Sequence, residues 1–175
     1  MNKNTLRQKF SAIETDWSKD QIIFDKALSF VEKYRPRIVG IYIAQIKEID
    51  LVSMLLKCKN TIFAAPKILA NESVVFTNYH MGSKLIPNEK YASYFEPESD
   101  KEVVPDLIFV PGVAFDTKGY RLGMGKGHYD KYLVDHKAVK IGVCRSVNLV
   151  TRLPEEPHDV RMDHVITEDV ILNLV

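Results

Sequence analysis

Apolar residues recur along the chain in two periods. Leu6, Phe10 and Ile13 are spaced four and three apart, the stripe of a short amphipathic helix. Ser18 followed three residues later by Gln21 has the form of a capping box. It predicts a second helix to about Lys33, with Ile22, Ile23, Phe24, Leu28, Phe30 and Val31 on its buried side. Pro36 closes that segment and biases Arg35 towards extended backbone. Ile38 to Ile43 is a near-continuous apolar run, the signature of a strand covered on both faces. A helical stretch is expected from about Asp50 to Lys57, with Leu51, Val52, Met54, Leu55 and Leu56. Further strands are expected over 61–65 (ended by Pro66), 107–110 (ended by Pro111 and Gly112), 139–144 and 165–167, and a further helical stretch over about 128–136. The stretch 77–106, with Pro87, Pro97 and Pro105, reads as loops and short strands.

Apolar strands alternating with helical stretches predict an α/β fold, a three-layer α/β/α arrangement with a mainly parallel sheet. Neither a repeat nor a boundary interrupts it, so residues 1–175 read as one domain. At 175 residues such a domain buries roughly 70% of its unfolded surface and needs no staples. The 24 basic and 23 acidic residues leave a formal charge of +1, which argues against binding nucleic acid through bulk charge. Cys58 and Cys144 fit no metal spacing and read as reduced, buried thiols. Residues 1–10 lack the apolar run of a signal peptide, and no stretch is long and apolar enough to span a membrane. The expectation is a cytoplasmic protein, a monomer or weak homo-oligomer, without nucleic-acid or membrane partners.

One local concentration changes the picture. Of eight glycines, five (Gly112, Gly119, Gly123, Gly125 and Gly127) lie within sixteen residues. A predicted strand enters this stretch and a predicted helix leaves it, the arrangement in which helix N-termini and glycine-rich approaches bind phosphate. Arg121 and Lys126 add fixed positive charge. Neither standard nucleotide motif fits: a P-loop ending at Lys126 needs glycine where Tyr120 stands and Ser or Thr where Gly127 stands. A dinucleotide fingerprint starting at Gly123 needs glycine where His128 stands. A zinc reading of His158, Asp159, Asp163 and His164 lacks any recognised ligand spacing.

The segment PGVAFDTKGYRLGMGKGHYDKYL over 111–133 resembles the signature of the 5-formyltetrahydrofolate cyclo-ligase family, also called 5,10-methenyltetrahydrofolate synthetases. Lys3-Asn-Thr-Leu-Arg7, Glu48, Pro66-Lys67, Glu96-Pro97, Pro105-Asp106, Leu153-Pro154, His158-Asp159, Met162-Asp163 and Thr167-Glu168 resemble family positions in the same order. The resemblance implies a single α/β/α domain of one-carbon metabolism, a ligase that uses ATP as co-substrate and Mg²⁺ as metal. Its reaction closes 5-formyltetrahydrofolate to 5,10-methenyltetrahydrofolate with release of ADP and phosphate, by phosphorylation of the formyl oxygen and ring closure by N10. It further implies ATP binding by Lys3, Arg7, Arg121, Gly123, Gly125, Lys126, Gly127, His128 and Tyr129. Folate binding is implied for Ile43, Glu48, Met124, Lys126 and His128, and metal binding for Asp130 and Asp159. Two other readings stay open: a non-catalytic folate or nucleotide module, which would bind without hydrolysing ATP, and a sugar-phosphate isomerase, which would need no ATP.

Overall fold

The computed structural model describes residues 2–175, except that the side chain of Leu55 lies outside the described residues. The first helix, α1 (Lys3–Ser11), opens on Asn2, whose side chain accepts the Thr5 N–H at 2.9 Å and satisfies a first-turn amide. Phe10 is buried against Ala114, Leu122 and Leu153, with Leu6 and Ile13 packed around it. The next helix, α2 (Asp20–Tyr34), forms without the expected capping box. Lys19 is its N-cap and makes no side-chain cap bond, the Ser18 N–H donates to Asp16 at 2.9 Å, and Gln21 reaches forward to Asp25. Ile23, Phe24, Ala27, Phe30 and Val31 make its inward stripe, and Ile22, off that stripe, is 46% exposed rather than buried. Arg35 is left-handed rather than extended (φ 46°, ψ 50°), and its N–H donates to the Val31 carbonyl at 2.9 Å, which closes the last turn.

Two helices follow later, α3 (Met54–Lys57) and α4 (His128–Asp135). α3 is shorter than expected because Asp50 accepts the Val52 N–H at 2.8 Å and holds the preceding residues in a turn. The strands are β1 (Ile38–Gly40), β2 (Ile62–Ile68), β3 (Val74–Tyr79), β4 (Leu85–Pro87), β5 (Phe95–Pro97), β6 (Glu102–Val103), β7 (Leu107–Pro111), β8 (Ala114–Asp116), β9 (Arg121–Leu122), β10 (Val139–Val143), β11 (Leu149–Val150), β12 (His164–Ile166) and β13 (Ile171–Asn173). One sheet has the order β13-β12-β10-β7-β1-β2-β3-β6. Its centre, β12 to β2, is parallel, while β13, β3 and β6 run antiparallel to their neighbours. β11, β8 and β9 form a small separate sheet, and β4 pairs with β5.

Alternation along the central strands divides the core. Val39, Leu107, Phe109 and Ile141 pack with the α2 stripe on one face. Ile38, Ile108, Val110 and Val165 pack with Tyr132 and Leu133 of α4 on the other. The result is the expected three-layer α/β/α fold with a mostly parallel sheet. Pro66 does not end β2, contrary to expectation. β1 pairs with β2 only from Ile62 to Ala64, so Pro66 lies where that side of the strand is unpaired and its missing N–H costs no ladder bond. β1 itself stops pairing at Gly40, although Ile41 and Tyr42 remain buried. Cys144 is buried as expected, whereas Cys58 is only half-buried; both are free thiols. Among the described residues, no helix is long and apolar enough to cross a membrane.

Candidate active site

The segments leaving the carboxyl ends of β1 and β7 border a cleft of about 370 Å³, the usual place for a ligand in an open α/β sheet. All the residues that the resemblance implies for ATP, folate and metal meet there. Lys3 and Arg7 come from α1, Ile43 and Glu48 from the turn after β1, and Arg121 from β9. Gly123, Met124, Gly125, Lys126 and Gly127 form the approach to α4, whose first turn adds His128, Tyr129 and Asp130. Asp159 comes from the loop before β12. Tyr91 and Tyr94, from the loop between β4 and β5, together with Glu156 and His158, also line the cleft. Of these four, the sequence singles out only His158, beside Asp159 in the family pattern and in the zinc reading; Tyr91, Tyr94 and Glu156 carry no motif signal.

The glycine run adopts backbone that side chains resist. Gly125 has φ +95°, and a Cβ there would lie 3.1 Å from the Arg7 guanidinium carbon; Gly127, the N-cap of α4, has φ +69°. No side chain caps α4, so its first N–H groups lack intrahelical partners at the edge of the cleft. Arg7 Nε donates to the Gly123 carbonyl at 2.8 Å and Nη1 donates to Asn4 at 2.6 Å, which docks α1 onto the loop.

Two cations of the cleft, Lys3 and Arg121, are held by its own carboxylates. Lys3 Nζ contacts Asp159 at 2.7 Å and Glu156 at 2.6 Å. Burial pulls the Lys3 ammonium down, but hydrogen bonds to these carboxylates outweigh it and leave its pKa above the ordinary value. Arg121, only 7% exposed, donates from Nη2 to Asp130 at 2.7 Å. Asp130 Oδ1 also accepts the Val160 N–H at 3.4 Å, tying α4 to the 156–160 loop. Lys126 is different: its ammonium lies 5.3 Å from the Tyr91 ring centroid, and among the described residues no carboxylate pairs with it.

At the other side, Glu48 Oε2 accepts the Gln45 N–H at 2.9 Å. Burial raises its pKa above the usual carboxylate range, offset in part by that bond and by Arg121. His128 meets Tyr91 edge-on and lies 3.7 Å from Glu72. Burial, then Lys131, Lys126 and Lys90, lower its pKa, which favours the neutral ring. A smaller cavity of about 230 Å³ adjoins the cleft across Tyr42, Glu48 and Met124.

Arg121 Nε, His128 Nε2 and Tyr129 Oη are buried without a hydrogen-bond partner among the described residues, and all three residues line this cleft. Buried polar atoms are normally satisfied, so three orphans around one cavity mark a place for a polar ligand. Asp130 and Asp159 suit a small divalent cation in being carboxylates, the hard oxygen donors Mg²⁺ takes. The only acid–histidine cluster with metal-like spacing among the described residues is Glu156, His158 and Asp159, whose ligand atoms lie within 4.8 Å of one another. The zinc set considered from sequence is not assembled. His164 is buried between Tyr34 and Asn173, at 2.8 and 3.0 Å, and Asp163 pairs with Lys140.

Sequence and fold are similar to those of known proteins. The model of the 5-formyltetrahydrofolate cyclo-ligase family matches residues 3–168. The Escherichia coli K12 5-formyltetrahydrofolate cyclo-ligase is 37% identical over 103 residues, covering 54% of this chain and 56% of that protein; the chain thus spans about half the length of that relative. The Mycoplasma pneumoniae cyclo-ligase is 28% identical over 97% of this chain and 100% of its own. Among solved structures, the Aquifex aeolicus 5,10-methenyltetrahydrofolate synthetase superposes with a TM-score of 0.82 at 30% identity, covering 99% of this chain and 93% of that one. The Mycoplasma pneumoniae synthetase gives 0.72 at 25% identity with both chains fully covered.

Proposed function

The chain belongs to the 5-formyltetrahydrofolate cyclo-ligase family, and from that premise we propose that it closes 5-formyltetrahydrofolate to 5,10-methenyltetrahydrofolate at the expense of ATP. The observation that carries this reading is the contents of one cleft: four cations and an uncapped helix start, beside the desolvated carboxylate of Glu48. The formyl oxygen attacks the γ-phosphorus and ADP departs. N10 then adds to the activated formyl carbon and gives up its proton, phosphate leaves with the former formyl oxygen, and the five-membered ring is closed.

Phosphoryl transfer asks a protein chiefly for positioning and charge. Lys126, with no carboxylate paired to it among the described residues, reaches the terminal phosphates, and the amides of 127–129 donate to their oxygens. Arg7 is the bridge that keeps α1 on the glycine loop while the nucleotide is bound. Lys3 and Arg121 now neutralise Asp159 and Asp130. Phosphate would give both cations a second anionic partner, and Asp159 and Asp130 would then be the carboxylates that hold Mg²⁺. When bound, Mg²⁺ supplies charge neutralisation on the phosphate oxygens. On the folate side, Glu48 accepts from ring N–H groups, and Ile43 and Met124 flank the substrate.

The test mixes purified protein with 5-formyltetrahydrofolate, ATP and Mg²⁺ and follows the absorbance of the methenyl product. Product that requires both ATP and Mg²⁺ is expected; folded protein that makes none overturns the reading.

A further inference from the structure

Glu48 is delivered to the cleft by a segment without regular structure. Residues 41–50 are in neither helix nor strand, and Ile46, at the tip of the turn, is 90% exposed. Inside the turn the Glu48 N–H donates to the Gln45 carbonyl at 2.9 Å, and Glu48 Oε2 accepts the Gln45 N–H at the same distance. These bonds close the turn on itself without fixing it to the rest of the protein. The direction in which Glu48 points therefore depends on what holds the backbone to either side of it.

Two buried side chains do so, on the carbonyls immediately before and after Glu48. The Tyr42 hydroxyl donates to the Ile49 carbonyl at 2.7 Å, and Arg145 Nη1 donates to the Lys47 carbonyl at 2.8 Å. Arg145 follows β10 and is itself held. Its Nε and Nη2 pair with both oxygens of Asp20, at the start of α2, at 2.8 and 2.5 Å. Its neighbour Ser146 donates from N and Oγ to Glu168 at 2.7 and 2.6 Å. Lys47 adds an outer contact, from an exposed position, to the Ser11 and Ile13 carbonyls.

A guanidinium suits this junction. Its planar fork meets a carboxylate with two donors while a third points elsewhere at a fixed angle. An ammonium has no such fork, and one nitrogen cannot serve both Asp20 oxygens and the Lys47 carbonyl together. Arg145 borders the smaller cavity rather than the main cleft, and it stands outside the glycine motif.

We propose that Arg145 is a positioning residue for the folate: by holding the Lys47 carbonyl against Asp20 it aims the Glu48 carboxylate at the ring N–H groups, without touching the substrate itself. The assignment rests on the cyclo-ligase reading, in which Glu48 meets the folate.

Arg145→Lys keeps a cation beside Asp20 and gives up the three-way geometry. Its kcat/KM for 5-formyltetrahydrofolate is expected to fall about fivefold, the worth of one hydrogen bond, with KM for ATP within about twofold of wild type. Amide exchange over residues 45–49 should quicken. The deciding measurement is a double-mutant cycle with Glu48→Ala. Once the carboxylate is gone, Arg145→Lys should change kcat/KM for the folate by less than about twofold, although it lowers Tm equally in both backgrounds. A second full loss overturns the assignment, because Arg145 would then act on the substrate or on the fold at large. Unchanged exchange at 45–49, or an unchanged kcat/KM in the single variant, overturns it as well. If Arg145→Lys does not fold, Asp20→Asn is put through the same cycle, because it weakens the grip on the guanidinium at constant shape. If wild type makes no methenyl product, the cyclo-ligase reading fails and takes the assignment with it. If wild type turns over and the cycle is additive, only the role of Arg145 fails.

Discussion

Lys126 and Arg121 bring the same charge into one cleft in opposite states, and substitutions should separate them. Lys126 is exposed and pairs with no carboxylate among the described residues, so its cation contributes little to folding. Lys126→Ala is expected to lower kcat by about a hundredfold, the scale for losing one transition-state charge contact, with an unchanged Tm. Arg121 is buried on Asp130. Its removal leaves a carboxylate unpaired, so Arg121→Ala is expected to cost about 3 kcal/mol of stability as well as turnover. Urea denaturation beside steady-state kinetics checks both variants; equal stability losses would contradict the difference in pairing. The charge types were legible in the sequence, but their states were not. Nothing local tells that Lys3 spends its charge on Asp159, 156 residues away, or that Arg121 Nε is left without an acceptor.

At the level of elements, the glycine run and α1 act as one unit. Gly125 holds a backbone angle that side chains resist, and Arg7 lies against it. Gly125→Ala is expected to cost about 1–2 kcal/mol in strain and to loosen α1. The checks are a lower Tm and faster amide exchange over residues 3–11; wild-type exchange there would show that the loop and helix are uncoupled. Element type was readable wherever period and burial agreed, as in α2, α4 and the apolar strands β7 and β10. It failed where another partner, local or tertiary, outbid the expected one. The capping box at Ser18 is lost because Asp16 takes the Ser18 N–H and Gln21 turns to Asp25. Pro66 was read as a stop because proline removes a ladder donor, yet only the length of β1 determines whether that donor was needed. β3, with polar Thr77 and Asn78 inside it, gave no clear alternation to read.

For the whole molecule, one buried side chain ties two layers together. His164 of β12 lies between Tyr34 of α2 and Asn173 of β13. Burial, with Lys33 adding to it and Asn173 and Asp163 opposing, holds its pKa below the ordinary 6.5. The unfolded chain therefore binds this proton more readily than the folded one. The stabilisation is complete above pH 6.5 and is lost as pH falls from there through the lower folded value. His128 is shifted in the same direction and adds to the slope. Thermal unfolding between about pH 7.5 and 5.5 should show Tm falling on the acid side, and His164→Gln should flatten that fall. An unchanged slope would mean that His164 is not the group responsible.

The sequence by itself determined the order of the helical stretches and of five apolar strands (β1, β2, β7, β10 and β12), the two-sided burial of the central sheet and the glycine approach to α4. These follow from period, side-chain branching and local backbone freedom, all properties of neighbouring residues. The ordered motif from Lys3 to Glu168 likewise pointed to the family before any contact was known. Only the tertiary structure decided which charges are already paired, which polar atoms are buried without partners, and that Glu48 and Tyr129 line the same cleft. Those properties arise when a parallel sheet brings the ends of distant strands together, and the closure that desolvates a side chain joins residues no periodic pattern connects.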